Sequence, residues 1–200
     1  MHSPTLLHYD SHASHFFSRY ETADVAFLHV LLQQWLPPEG RVLEIGCGSG
    51  RDARFMASQL RLNVLATDGS EKLIKLAAQQ QTPPDGKQPL FRQAVFPLDA
   101  GNDLLSERFD AIVSIAFLMH LADNELFEFA WQVRTMLNSG GIFFCSFYPR
   151  RESTADDPRF FADRQAGQIQ LLFERLGLNL VYQEENADSL GILLFNFLFE

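Results

Sequence analysis

The segment Val42-Leu43-Glu44-Ile45-Gly46-Cys47-Gly48-Ser49-Gly50 runs from apolar residues into three alternating glycines. Glycines at this spacing permit a tight turn and let a ligand approach the backbone closely. Glu44 places an anion just ahead of that turn, where it suits a cationic group. Asp68 lies 18 residues after Gly50 and ends a second apolar run, Ala66-Thr67-Asp68-Gly69-Ser70. A carboxylate there can accept hydrogen bonds from both hydroxyls of a ribose. A bare strand–helix turn and an ordinary helix cap draw on the same residue types. The ligand reading therefore depends on what the rest of the chain brings to this place.

A dinucleotide fingerprint is G-x-G-x-x-G, and its last glycine would stand at position 51, which is Arg51. The pattern is instead E-x-G-x-G-x-G. It suits S-adenosylmethionine, which has no pyrophosphate but carries an amino-acid tail, a sulfonium and a nucleoside. Glu44 then meets the ammonium of the tail, and the loop amides meet its carboxylate. Two rivals stand beside this reading: an NAD-dependent oxidoreductase, which Arg51 argues against, and a module that binds S-adenosylmethionine without catalysis.

The elements that position these residues follow from periodicity. Residues 1–40 are helical and aromatic, with Phe16, Phe17 and Tyr20 on one side and Phe27, Leu28, Leu31, Leu32 and Trp35 at helical spacing. They form an N-terminal helical cap that Pro37-Pro38 ends. Strands are predicted at 41–45, 62–67, 90–95, 109–115 and 142–147. Helices are predicted at 51–60, after a Ser70 cap, and after an Asp123 cap. Gly140-Gly141 turns the chain into the fifth strand. A helix over 165–176 and two closing strands, 178–184 and 191–199, finish it. Alternating helices and nearly continuous apolar strands mean an α/β fold. The expected architecture is a doubly wound, Rossmann-like sheet, mostly parallel with an antiparallel closing strand, over residues 41–200.

The glycine loop, Asp68 and this alternation resemble the class I S-adenosylmethionine-dependent methyltransferases over roughly residues 41–147. More narrowly, Gly46-Cys47-Gly48-Ser49-Gly50-Arg51-Asp52-Ala53, Leu118-Met119-His120-Leu121 and Asp188-Ser189-Leu190-Gly191 are similar to a group of small bacterial methyltransferases of mostly unassigned substrate. Tyr9 and Arg19-Tyr20-Glu21 match that group's N-terminal helix. The resemblance implies cofactor contacts from Glu44, Gly46, Gly48 and Asp68, and Phe117 or Leu118 near the methyl group. Tyr20, Cys47, Gly50 and Gly69 complete the candidate cofactor set. Many members carry an acid after the third strand for the adenine amino group. Here that stretch is Arg92-Gln93-Ala94-Val95-Phe96, so the backbone of Ala94 and Val95 is the candidate adenine site unless Asp99 substitutes.

Methyl transfer from a sulfonium needs alignment and exclusion of water, with a base only where the acceptor must lose a proton. His120 is the candidate base, although its apolar flanks also fit a packing role. Tyr9, Phe16, Phe17 and Tyr20 could form an aromatic lid over a cationic sulfonium. His8, His12 and His15 could share a helix face, where helix surface is favoured over a metal site. The stretch 148–164 after the fifth strand is a candidate substrate-facing loop.

The formal net charge of −9 disfavours a polyanionic partner such as DNA or RNA and favours a small-molecule methyl acceptor. Arg150-Arg151 is the best candidate for a local basic patch. No apolar run reaches the ~18 residues of a membrane span, and no signal peptide is visible in Met1-His2-Ser3-Pro4. A cytoplasmic location is the resulting expectation. Cys47 and Cys145 lack metal-ligand spacing. The 19 phenylalanines point to a bulky aromatic core or pocket.

Overall fold

The structure, a computed structural model, describes residues 3–84, 86–149, 157–187 and 193–200. Three helices lead: α1 (Ser3–Ser11), α2 (Ala13–Thr22) and α3 (Ala26–Trp35). Strands and helices then alternate as β1 (Arg41–Ile45), α4 (Arg51–Ser58), β2 (Asn63–Asp68), α5 (Glu71–Ala78), β3 (Leu90–Gln93), β4 (Phe109–Ile115), α6 (Asp123–Met136) and β5 (Leu137–Phe147). The chain ends with α7 (Ala166–Arg175), β6 (Leu180–Ala187) and β7 (Leu193–Phe199).

The seven strands lie in the order β3-β2-β1-β4-β5-β7-β6. Strands β1 to β5 pair in parallel, and β7 runs antiparallel between β5 and β6. The expected doubly wound sheet is therefore present, with its antiparallel strand one place in from the edge. The chain leaves β1 first toward β2 and β3, then returns to β4 on its other side. That reversal opens a crevice at the carboxyl ends of β1 and β4, the usual ligand position in such sheets.

The central strand β1 is buried on both faces after Arg41, as a covered parallel strand must be. One face packs under α6 and α7 and takes most of the phenylalanines, including Phe129, Phe143, Phe173, Phe197 and Phe199. The aromatic excess is thus mainly core. The other face packs under α3, α4 and α5, with Leu32, Val42, Met56 and Ile74. Helix α3 shares that core directly.

Several boundaries differ from the sequence expectation. Helices α1 and α2 break at His12, so His8 and His15 sit on different helices. Helix α6 begins at Asp123 behind Ala122, and the Glu125 carboxylate accepts from the Ala122 amide at 2.8 Å, taking the capping role assigned to Asp123. Strand β5 starts at Leu137, and Gly140, at φ 72°, sits in a register shift within it. Ser70 caps α5 as expected, accepting from the Leu73 amide at 3.2 Å. Arg150-Arg151 and Asp188-Ser189-Leu190-Gly191 lie outside the described residues.

Candidate active site

The glycine loop is braced from β2. The amides of Gly46 and Cys47 donate to the Thr67 carbonyl at 2.8 and 2.9 Å. The Gly48 amide donates to Asp68 Oδ2 at 2.9 Å, and the Gly50 amide to the Cys47 carbonyl at 2.9 Å. These four amides are spent within the fold, so the expectation that they meet a ligand carboxylate does not hold for them. Gly50 takes φ 74° at the N-cap of α4, and a Cβ there would stand 2.5 Å from the Phe91 ring. Its role is close packing, and it is not on the cavity wall.

A cavity of about 490 Å3 opens at the carboxyl edge of β1, β2 and β4. Tyr20, Glu44, Gly46, Cys47, Gly48 and Asp68 line it, as do Phe117 and His120. The structure thus gathers eight of the predicted site residues around one space. Gly50, Gly69, Ala94 and Val95 are not among its lining residues. Strand β3 ends at Gln93, and the Ala94 amide is taken by the Asp68 carbonyl at 3.0 Å. Phe96 is buried in the core against Phe129 and is not among the cavity's lining residues.

Glu44 is the unusual group. It is 2% exposed, and its Oε2 has no hydrogen-bond partner. Burial, reinforced by the nearby Asp52 charge, pushes its carboxyl well above the usual range, against the pull of Arg51. Asp52 follows the opposite course. Burial raises it, but hydrogen bonds from His29 at 2.9 Å and Arg51 at 2.9 Å bring it below its usual value. A buried carboxylate oxygen without a donor is costly unless a ligand supplies one.

That cost makes a linkage prediction. Glu44 holds its proton to higher pH folded than unfolded, so the empty protein loses stability as pH rises from the unfolded carboxylate range through the raised folded value. Glu44→Gln removes this loss. Above that range the empty variant should melt higher than wild type, by roughly 2–4 °C per kcal/mol recovered. It should also bind S-adenosylmethionine at least ~10-fold more weakly, having lost a charged acceptor. Thermal melts across pH with calorimetric titration check both. An unchanged melting curve together with unchanged affinity would refute the role.

Asp68 turns each oxygen to a backbone amide, Oδ2 to Gly48 and Oδ1 to Ser70 at 2.8 Å. Each oxygen keeps a further lone pair. Burial raises its pKa, and these amides oppose the rise. The Ser70 hydroxyl donates to Asp10 at 2.8 Å, and the Lys72 amide donates to the same oxygen at 3.0 Å, so α1 is pinned to the start of α5.

His120 is 4% exposed, and both ring nitrogens are engaged. Nδ1 donates to the Phe160 carbonyl at 2.9 Å, because a carbonyl can only accept. In the neutral ring Nε2 is then the acceptor, and the Tyr9 hydroxyl donates to it at 3.0 Å. Tyr9 and Tyr20 line the cavity, whereas Phe16 is buried against Ala13 and Leu73. Of the aromatic residues expected as a lid, Tyr9 and Tyr20 face the cavity and phenylalanine packs behind them. The Arg159 guanidinium lies 5.5 Å from the centre of the Tyr9 ring and pairs with Asp157 at 2.6 Å. The Phe160 amide donates to the buried Thr5 hydroxyl at 2.7 Å, which ties residues 157–164 to α1. Among the described residues no three His, Cys, Asp or Glu side chains group as metal ligands.

Residues 43–143 match the family described as a methyltransferase domain. The chain belongs to that family. It is 29% identical over 135 residues to the 2-methyl-6-phytyl-1,4-hydroquinone methyltransferase of Synechocystis, a match spanning 64% of this chain and 39% of that protein. Among solved structures it is similar to the magnesium protoporphyrin IX methyltransferase of Synechocystis with bound S-adenosylmethionine. There the TM-score is 0.73 at 18% identity, covering 100% of this chain and 98% of that one. It is also similar to the Burkholderia thailandensis 1,6-didemethyltoxoflavin-N1-methyltransferase, holding its acceptor and S-adenosylhomocysteine. There the TM-score is 0.73 at 17% identity, covering 98% of this chain and 87% of that one. At these identities the structural likeness establishes the fold.

Sequence reasoning did not find Asn186 and Asn196, which also line this cavity. Nor did it find Arg51 as a wall residue, since that position counted only as an absent glycine. Asparagines in a closing hairpin carry no local signal of a site.

Proposed function

We propose that this methyltransferase moves a methyl group from S-adenosylmethionine to a small-molecule acceptor bound over β4, β5 and β7. The observation that carries the reading is Glu44: a buried, unpartnered carboxylate oxygen on the wall of a cavity that also presents Asp68. Glu44 holds the ammonium, Asp68 the ribose diol, and Arg19, which reaches the wall from α2, the carboxylate. Tyr20 and Gly48 flank the tail, and a Cβ on Gly48 would stand 3.0 Å from the Tyr20 ring. Phe117 and Cys47 line the middle of the cleft. Bound there, the cofactor supplies an activated methyl group that passes to an acceptor lone pair while the C–S electrons stay with sulfur.

The chain's own part is to orient, to exclude water and to take a proton. Tyr9 lines the cavity and donates to His120 Nε2. An acceptor proton can pass to the Tyr9 oxygen as the tyrosine proton passes to Nε2, with Phe160 steadying the imidazolium through Nδ1–H. Acceptors with a free lone pair and no proton to lose need only the positioning.

An NAD enzyme would need amides free to seat a pyrophosphate, and four of the loop's amides are already bonded within the fold. Calorimetric titration with S-adenosylmethionine, S-adenosylhomocysteine and NADH tests the assignment. Saturable binding of the first two and not the third is expected, and the reverse would overturn it. Release of S-adenosylhomocysteine with an acceptor would exclude a non-catalytic module.

The net charge of −9 leads us to expect no saturable binding to duplex DNA or RNA in low salt. A salt-sensitive complex of about micromolar affinity or tighter would refute this.

A further inference from the structure

The cofactor half of the cavity lies over β1 and β2, so the acceptor half lies over β4, β5 and β7. Register shows what faces it. Ile115 pairs with Ser146, Ser146 with Asn196, and Asn196 with Glu184, so these side chains share one row and one face. Glu44 pairs with Val113 one row below, and Val113 with Phe144, so the same face carries the ammonium site and Asn196. Asn186 stands diagonally across the β6–β7 pair from Asn196, and both line the cavity.

Asn196 is 1% exposed, and its Nδ2 donates to Asn186 Oδ1. That bond uses one donor and one acceptor of the pair. No hydrogen bond among the described residues engages Asn196 Oδ1 or Asn186 Nδ2, so one wholly unengaged acceptor atom and one wholly unengaged donor atom belong to two paired residues of the cavity wall. The rest of this half is apolar or aromatic, with Val25, Phe27, Leu28, Ile115 and Tyr148. Its one charged side chain among the described residues is Asp24, whose Oδ1 accepts from the Ala26 amide at 3.1 Å at the start of α3. The described cation nearest the proton-accepting Tyr9 is Arg159, 3.4 Å from its hydroxyl, and it is already paired with Asp157 at 2.6 Å, so a buried anion here would go uncompensated, which is strongly disfavoured.

Resting on the methyltransferase reading above, we infer that the acceptor is an uncharged planar ring with an adjacent N–H and C=O, its N–H given to Asn196 Oδ1 and its C=O accepting from Asn186 Nδ2. The planar N–H/C=O edge follows from the unengaged acceptor and donor of the two asparagines, and the ring from the apolar and aromatic lining by Val25, Phe27, Leu28 and Tyr148. Leaving either asparagine atom unpaired on binding is costly, so the pair selects for both partners at once.

The test uses the full chain saturated with S-adenosylhomocysteine, titrated calorimetrically with 2-pyridone, uracil and lumazine, with N-methyl-2-pyridone, and with benzoate. At least one lactam should bind saturably, benzoate should not, and blocking the 2-pyridone N–H should weaken binding at least tenfold, about 1.4 kcal/mol. Asn196→Leu should weaken the best lactam at least tenfold while S-adenosylhomocysteine affinity is kept. Asn186→Ala, at a half-exposed edge position, gives the same reading if the buried variant does not fold. Failure of all the lactams, preferential binding of benzoate, or lactam affinity indifferent to both asparagines would overturn the inference. If the wild type does not bind S-adenosylhomocysteine, the methyltransferase reading itself fails, which separates the two.

Discussion

Asp68→Ala should weaken S-adenosylmethionine binding by roughly ten- to a hundred-fold. The carboxylate ends β2 at the cavity wall, and its two oxygens already accept from the Gly48 and Ser70 amides. Each retains a lone pair for a ribose hydroxyl. Hydrogen bonds to charged groups contribute roughly 1.5–3 kcal/mol, and ~1.4 kcal/mol is tenfold in affinity. The alanine variant also releases the Gly48 amide, so the glycine loop loses one of its ties to β2. Asp68→Asn separates these effects. Its carbonyl oxygen can still accept from one amide and one hydroxyl, whereas its NH2 can accept from neither, so it should keep part of the affinity. Ser70 still caps α5 in both variants, and circular dichroism should show native helix content. Calorimetric titration is the measurement. Wild-type affinity in Asp68→Ala would remove the ribose assignment.

What could be read in advance was what is local in the chain. The loop at Gly46–Gly50, the acid at Asp68 and the Ser70 cap each sit within a few residues of the element they serve. Apolar runs placed all seven strands. Long-range pairing was invisible. The spent amides of Gly46 and Cys47 depend on Thr67 from the neighbouring strand, so a loop that looked open is closed from the side. The early end of β3 at Gln93 withdrew Ala94 and Val95 from the cavity wall. Asn196 reaches the site because β7 inserts between β5 and β6. As an outer edge strand it would have stood one place farther from the cavity. His120 was found as a residue, but its partners come from α1 and from residues 157–164, 111 and 40 positions away in the chain.

Those partners lead to the second large effect. Tyr9→Phe deletes one hydroxyl and keeps the ring under Arg159. For an acceptor that must lose a proton, it should lower turnover ~10²-fold or more, as expected for loss of a positioned general base or its relay. His120→Ala should lower it by a similar factor, because Tyr9 then has no acceptor at Nε2. The two losses should not add: a relay broken at either member is broken once, so the double variant should match the singles. S-adenosylmethionine affinity should stay near wild type in Tyr9→Phe, since the proposed cofactor contacts Glu44 and Asp68 lie on β1 and β2. The His120 variant also frees the Phe160 carbonyl and loosens the tie between residues 157–164 and the 3-10 turn Leu118–His120, so its melting temperature should drop more than that of Tyr9→Phe. Steady-state kinetics on all three variants, with thermal melts beside them, decide the matter. Unchanged turnover with a lowered melting temperature in His120→Ala would leave the histidine a packing role that pins α1 over the site.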